Sequence, residues 1–215
     1  MPISLVTSNH AKGNIPVSCS IDVSGTNKLV ILNGLITGSG GDPGTLTPTF
    51  DGNAPTGTIF NTLTNTYYRS FMYYWLNPAD GTKIAQIMGA NPSLAWLCAS
   101  CWQEVNQASP FGTLKTGNAL ALTGIACAVG DLLVDLLTGT ADSVTGTKDA
   151  NWTNLRKDYL YTTNSYGNGN SSYKIATSTS ESSTWTGSLG TILLHNAIPI
   201  LASGVSGILT PMWFF

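Results

Sequence analysis

Charge is what this sequence has least of. Lys, Arg, Asp and Glu make up 9% of its 215 residues, where a globular domain carries about 25%. Nine basic residues are spread thinly and the net charge is −2. Counterion release therefore cannot hold a nucleic acid, and that class of partner drops out. Long apolar runs are missing as well: no stretch approaches the ~18 residues of a membrane-spanning helix. The first residues, MPISLVTSNHAKGNIPV, lack a charged start followed by an apolar run. No signal peptide is read there, and synthesis in a cytoplasm is expected. Histidine is scarce, with His10 and His195 alone, and no GxSxG elbow, HExxH or phosphate-binding loop occurs.

Apolar residues are present in ordinary measure, at 42%, so the chain is not short of core material and disorder is not expected. Ser, Thr, Asn and Gly supply the polarity. Such a neutral surface suits a chain packed against copies or partners, because few charges need desolvating, and it equally suits a secreted β-protein.

Strand signals dominate. Residues 18–23, 28–37, 68–76, 83–88, 94–105, 119–128, 131–137, 173–179 and 191–201 are β-branched, aromatic or alternating. Turn residues bound them at 24–27, 77–82, 90–93 and 128–131. This spacing predicts an all-β, antiparallel two-sheet sandwich with long Gly/Thr-rich loops. The turn NPADGT, 77–82, is read as a hairpin pairing 68–76 with 83–88. Residues 151–161 are read as a short amphipathic helical turn or a loop. Residues 38–57, holding a short strand at 46–50, together with 138–148 and 162–172, are read as loops. No repeat of ~20–50 residues is visible. Residues 1–203 are expected to form a single sandwich domain. Residues 204–215 should form an apolar tail ending in Met212, Trp213, Phe214 and Phe215, which docks on its own domain or a neighbour.

One strand poses a question. Along 67–76, Tyr67, Arg69, Phe71, Tyr73 and Trp75 alternate with Tyr68, Ser70, Met72, Tyr74 and Leu76. Both faces are greasy, where a half-buried strand has one wet face. One face goes into the sandwich. For the other, the 38–57 loop is one cover and a neighbouring subunit is a second.

The segments GTNKLVIL (25–32), YYWLNPADGT (73–82), the strand through Trp102 and Val105 with QASPFGT (107–113), and VGDLLVDLL (129–137) occur in an order that resembles a jelly-roll-like β-sandwich domain. That domain is found in phage virion proteins and bacterial surface proteins, and the resemblance spans about residues 15–200. It implies display, adhesion or assembly and carries over no enzymatic site. A chain that starts at Met1 and ends in MWFF favours a stand-alone virion component over an adhesin module. The expected role is a capsid decoration or head or tail accessory protein, with a carbohydrate-binding adhesion module as the alternative.

Candidate sites follow from these readings. An assembly interface is placed at Met212, Trp213, Phe214, Phe215, Tyr67 and Arg69, toward other virion proteins such as major capsid or tail proteins. Homo-oligomers are expected, with a trimer among the cyclic forms that fit. Trp152, Trp185 and Tyr166 are candidate platforms for sugar rings, although the aromatics at 71, 73, 75 and 102 are read as core. No catalytic residues, cofactor or metal ligands are assigned. His195 is read as a satisfied core or interface histidine, Asp131 as a turn residue, and Asp135 as facing solvent or an Arg. Asp142 or Asp149 could join a loose loop calcium site. Cys98 and Cys101 lie three apart on a strand and so on opposite faces. Together with Cys19 and Cys127 they are read as inert thiols in preference to a zinc or redox site.

Overall fold

The computed structural model describes residues 2–38, 41–64, 66–89, 91, 93–140, 147–161, 166–187 and 190–203, with only the backbone at 93, 158, 159, 161 and 166. The first eight strands are β1 (Ser4–Asn14), β2 (Val17–Val23), β3 (Leu29–Gly38), β4 (Leu46–Phe50), β5 (Gly57–Leu63), β6 (Tyr68–Leu76), β7 (Gly81–Gly89) and β8 (Ser93–Gln103). The second eight are β9 (Lys115–Gly117), β10 (Ala121–Ala126), β11 (Leu132–Gly139), β12 (Thr147–Lys148), β13 (Thr153–Tyr161), β14 (Tyr166–Ile175), β15 (Ser180–Thr186) and β16 (Ile192–Ile200). The described residues contain no helix, and the registered strand pairs are all antiparallel.

The two-sheet sandwich expected from sequence occurs twice. The first large sheet has the order β1-β8-β3-β6-β5 and its small companion β2-β7-β4. Adding eight to every strand number gives β9-β16-β11-β14-β13 and β10-β15-β12, which are the other two sheets. Each half thus places strands 1, 8, 3 and 6 in one sheet and 2, 7 and 4 in the other, the winding of a jelly roll. Strand 5 departs from that scheme by pairing with strand 6 in the large sheet.

The two large sheets pack face to face, giving four layers. β8 lies on β13, β3 on β14 and β11, and β1 against β13. Toward the other edge Tyr74 meets Phe111 edge-on at 4.8 Å. Strands therefore meet in reversed order about β3 and β11, the relation of an isologous dimer made within one chain. Those two strands are buried along their whole length. Strands covered on both faces must be apolar on both, and these two read as nearly continuous apolar runs.

This stack answers the question posed by 67–76. Phe71, Tyr73 and Trp75 join Val30, Leu32, Leu97 and Ile87 in the core between the first large and small sheets. Tyr68, Met72, Tyr74 and Leu76 join Leu35, Trp96, Trp102, Leu136 and Ile198 between the two large sheets. The cover for the second face is the chain's own second half, in place of the 38–57 loop or another subunit.

Three local expectations are corrected. The turn at 77–80 does not close a hairpin between paired neighbours. β6 pairs with β3 and β5, while β7 pairs with β2 and β4. The chain crosses between sheets there, with Asn77 and Gly81 at positive φ. Residues 153–161 form edge strand β13, where the sequence offered a helical turn or a loop. Residues 166–172, expected in a loop, belong to strand β14, which runs through the core. The reason lies in packing: a Cβ at Gly169 would sit 2.7 Å from Cε3 of Trp96, and one at Gly167 2.8 Å from Cδ2 of Leu35. Glycines here admit large side chains from the facing sheet, so the apolar half of the contact is written elsewhere in the sequence.

Candidate functional site

The densest collection of reactive side chains lies between the second large sheet and its small companion. Asp135 sits on β11 between Leu133 and Leu137, on the face turned to the small sheet, and is 0% exposed. Its Oδ2 accepts from Lys148 Nζ at 2.6 Å, Ser183 Oγ at 2.6 Å and Trp185 Nε1 at 3.1 Å, and lies 3.3 Å from His195 Nε2. Its Oδ1 accepts from the Ser172 hydroxyl. Lys148 also reaches Ser183 Oγ. Its ammonium stands 4.1 Å from the ring centroid of Trp152 and 4.9 Å from that of Trp185, where ring faces stabilise a desolvated cation. Burial alone would raise the Asp135 pKa. The Lys148 ammonium outweighs burial and holds the carboxyl far below the usual range. Asp135 facing solvent or an Arg is therefore corrected: its counter-charge is a lysine, and both are enclosed.

Ser183, His195 and Asp135 invite comparison with a hydrolytic triad, and the geometry rejects it. Ser183 Oγ is 2.9 Å from His195 Nε2, as a nucleophile and base would be. In a triad the carboxylate orients the other ring nitrogen. Here Nδ1 faces the Ala119 carbonyl at 3.0 Å. A carbonyl only accepts, so Nδ1 carries the proton. Asp135 crowds the same nitrogen as the serine, and all three side chains are buried, so no external substrate reaches them. His195 is a satisfied core histidine, as read from sequence.

A second ion pair lies close by. Glu181, on β15, accepts from Lys174 Nζ on β14 at 2.6 Å and from the backbone N–H groups of Thr177 and Ser178 at 2.6 and 2.9 Å. Burial pushes its pKa up, but Lys174 and these N–H donors outweigh burial and bring it down to about 2. A folded pKa below the unfolded one means stabilisation that is present above about pH 4, where a free glutamate ionises. It is lost as the pH falls toward about 2. Thermal melts stepped down through that window should lose stability more steeply in the native protein than in Glu181→Gln. Parallel curves would remove Glu181 from the acid response.

A surface cleft of about 260 Å³ lies between the 50–56 turn and the 77–80 crossing. Phe50, Trp75, Leu76 and Pro78 give it an apolar wall, and Asp51, Asn53, Thr56 and Lys83 a polar rim. Trp75 Nε1 donates to the Asn53 carbonyl at 3.2 Å, and Lys83 pairs with Asp51 at 2.8 Å.

The other sequence candidates scatter. Trp185 is 1% and Trp152 6% exposed. Their rings enclose Lys148 and offer no open face to a sugar. Only the backbone of Tyr166 is described, on β14. Tyr67 is 43% exposed, and Arg69 makes a two-pronged ion pair with Asp42 at 3.0 Å. Met212, Trp213, Phe214, Phe215 and Asp142 lie outside the described residues. Asp149 accepts from the Thr184 N–H at 3.0 Å, and Asp131 caps its turn by accepting from the Ala128 N–H at 2.7 Å. Among the described residues, no group of three His, Cys, Asp or Glu side chains converges on a metal position. Cys98 faces the core between the large sheets and Cys101 the opposite one. The four thiols are free, and burial pushes Cys98 up to about 12 and Cys19 to about 11.

The cluster that sequence reading missed combines Asp135, Lys148, Ser172 and Ser183. A signal existed: Asp135 interrupts an otherwise apolar run, LLVDLL, and a charge there demands a buried partner.

Fold and site together define an all-β protein of two stacked jelly-roll sandwiches with a closed ionic cluster. No family model, curated protein or solved structure matches the chain.

Proposed function

We propose that this chain is a non-enzymatic structural component of a bacteriophage virion, a capsid decoration or a head or tail accessory protein. The observation that carries this reading is the face-to-face pair of jelly-roll sandwiches, whose unit, the jelly roll, recurs in viral capsid and lectin domains. The residues best equipped for catalysis are sealed inside it. Its small sheets turn hydroxyl-rich faces outward: exposed positions of β2 and β15 include Ser18, Ser20, Ser180 and Ser182. Neutral faces of this kind associate at low desolvation cost and gain strength through many copies. The enclosure of 68–76 means that assembly does not draw on that strand, so partners would meet the outer faces. Light scattering on the purified full chain should show a homo-oligomer, or binding to capsid or tail particles. A strict monomer that ignores such particles would overturn the reading.

A second reading, a carbohydrate-binding adhesion module, is favoured by the cleft at the 77–80 crossing, where the half-buried Leu76 and Pro78 stand beside the exposed Thr56 hydroxyl and Asp51 carboxylate, a mixture that suits a sugar ring. A glycan-array signal lost in Asp51→Asn and Lys83→Ala would establish it over the first.

A further inference from the structure

We propose that Lys148 and Asp135 condense into an intramolecular amide that covalently joins β12 to β11. The inference stands apart from the virion reading and rests on the buried cluster alone.

Four features of the site favour the reaction. Nucleophile and acid are already in contact, with Nζ 2.6 Å from Oδ2, which gives the high effective concentration that intramolecular reactions exploit. Both side chains are sealed from solvent, at 1% and 0% exposure. Bulk water therefore does not drive the reverse reaction, and the amide removes two buried charges that are costly to desolvate. The carboxylate's two oxygens have different surroundings. Oδ1 is held by the Ser172 hydroxyl, a donor suited to an oxyanion. Oδ2 faces Ser183 and His195, a path for protons. Finally, the Trp152 and Trp185 rings fix the lysine ammonium beside the carboxyl group.

The protons balance without an added reagent. The pair starts as ammonium and carboxylate, with Nδ1–H of His195 on the Ala119 carbonyl and Nε2 placed to accept from the Ser183 hydroxyl. Lys148 passes one proton through Ser183 to His195 Nε2, and the resulting imidazolium delivers it to Oδ2. The neutral amine attacks Cγ, and Ser172 holds the developing charge on Oδ1. A second proton then follows the same route from the nitrogen to Oδ2. The Cγ–Oδ2 bond breaks, water leaves, and one hydrogen remains on the amide nitrogen. His195 ends as it began. This is a single internal event, with no turnover and no outside substrate.

The test is the mass of the intact full chain, denatured and compared with Lys148→Arg, which keeps the positive charge but cannot make this amide. The native chain should be lighter than its sequence mass by one water, and Lys148→Arg should have its full mass. Trypsin should fail to cut after residue 148 in the native chain, leaving a peptide of residues 116–156 short of one water. A native chain at full sequence mass overturns the proposal. So does a missing water that persists in Lys148→Arg, since the dehydration would then lie elsewhere. His195→Gln should delay or abolish the loss of water in freshly made protein. Full-rate condensation in that variant would refute the assigned proton path.

Discussion

Gly169→Ala should destabilise the otherwise native protein by about 1–3 kcal/mol, the usual range for overpacking a core, and should cost almost nothing once Trp96 is replaced by alanine. The added Cβ would lie 2.7, 2.9 and 3.1 Å from Cε3, Cζ3 and Cδ2 of Trp96, closer than carbon atoms pack. Gly169 is not at positive φ, so the backbone accepts alanine and the cost is steric. Trp96 is wholly buried. Its own replacement by alanine should cost about 3–5 kcal/mol, and it opens the space that the new methyl group needs. A double-mutant cycle by chemical denaturation isolates the coupling. Equal cost of Gly169→Ala in both backgrounds would mean that β8 and β14 do not face each other, and the stacked arrangement would fall with it. Because one continuous core joins the large sheets, each variant should unfold in one transition.

That contact also shows where sequence reading reached its limit. The all-β, antiparallel sandwich was legible because β2 alternates and β3, β6, β8, β11 and β16 are short apolar, β-branched or aromatic runs bounded by turn residues, and the two-faced 67–76 strand posed the question of its cover. Its answer was hidden by the character of the covering surface. β14 reads YGNGNSSYKI, a composition typical of loops, yet Gly167 and Gly169 make room for Leu35 and Trp96. Asn33 meets Ser171 across the interface at 3.0 Å, as Ser70 meets Thr138 at 2.9 Å. Polarity satisfied inside a core looks, in sequence, like polarity facing water.

The repeat escaped notice for a related reason. The two halves share strand order while their sequences solve different packing problems: β3 reads LVILNGLITG and β11 LLVDLLTG. The short β9 and β12 give little periodic signal of their own. Only the middle strand of each half, buried on both sides, keeps a common signature. Site residues were legible singly. His195 could be placed in the core from its apolar flanks, but the cluster around it draws on β11, β12, β14 and β15. No spacing along the chain brings Lys148 to Asp135.

Removing the Asp135 carboxylate should have the largest effect of any single change in this cluster. Asp135→Ala strands the Lys148 ammonium in a site where it is 1% exposed, and breaking a buried pair in this way costs about 3–5 kcal/mol. It also takes an acceptor from Ser172 and Trp185, whereas Ser183 can turn to His195 Nε2 at 2.9 Å. Replacing both charges, as in Asp135→Leu with Lys148→Met, should recover about 2 kcal/mol or more of that loss. An apolar pair of similar volume leaves no stranded ion. Neither variant can form the amide proposed above, so the difference between them isolates the unpaired charge. The orphaned donors of Ser172 and Trp185 should keep the double variant below the native protein, at about 1–3 kcal/mol for an unsatisfied buried group. Urea titrations of the three proteins give the ordering directly. If Asp135→Ala lies within about 1 kcal/mol of native, a change typical of exposed pairs, water must reach Lys148. The sealed interior on which the cluster's chemistry depends would then be lost.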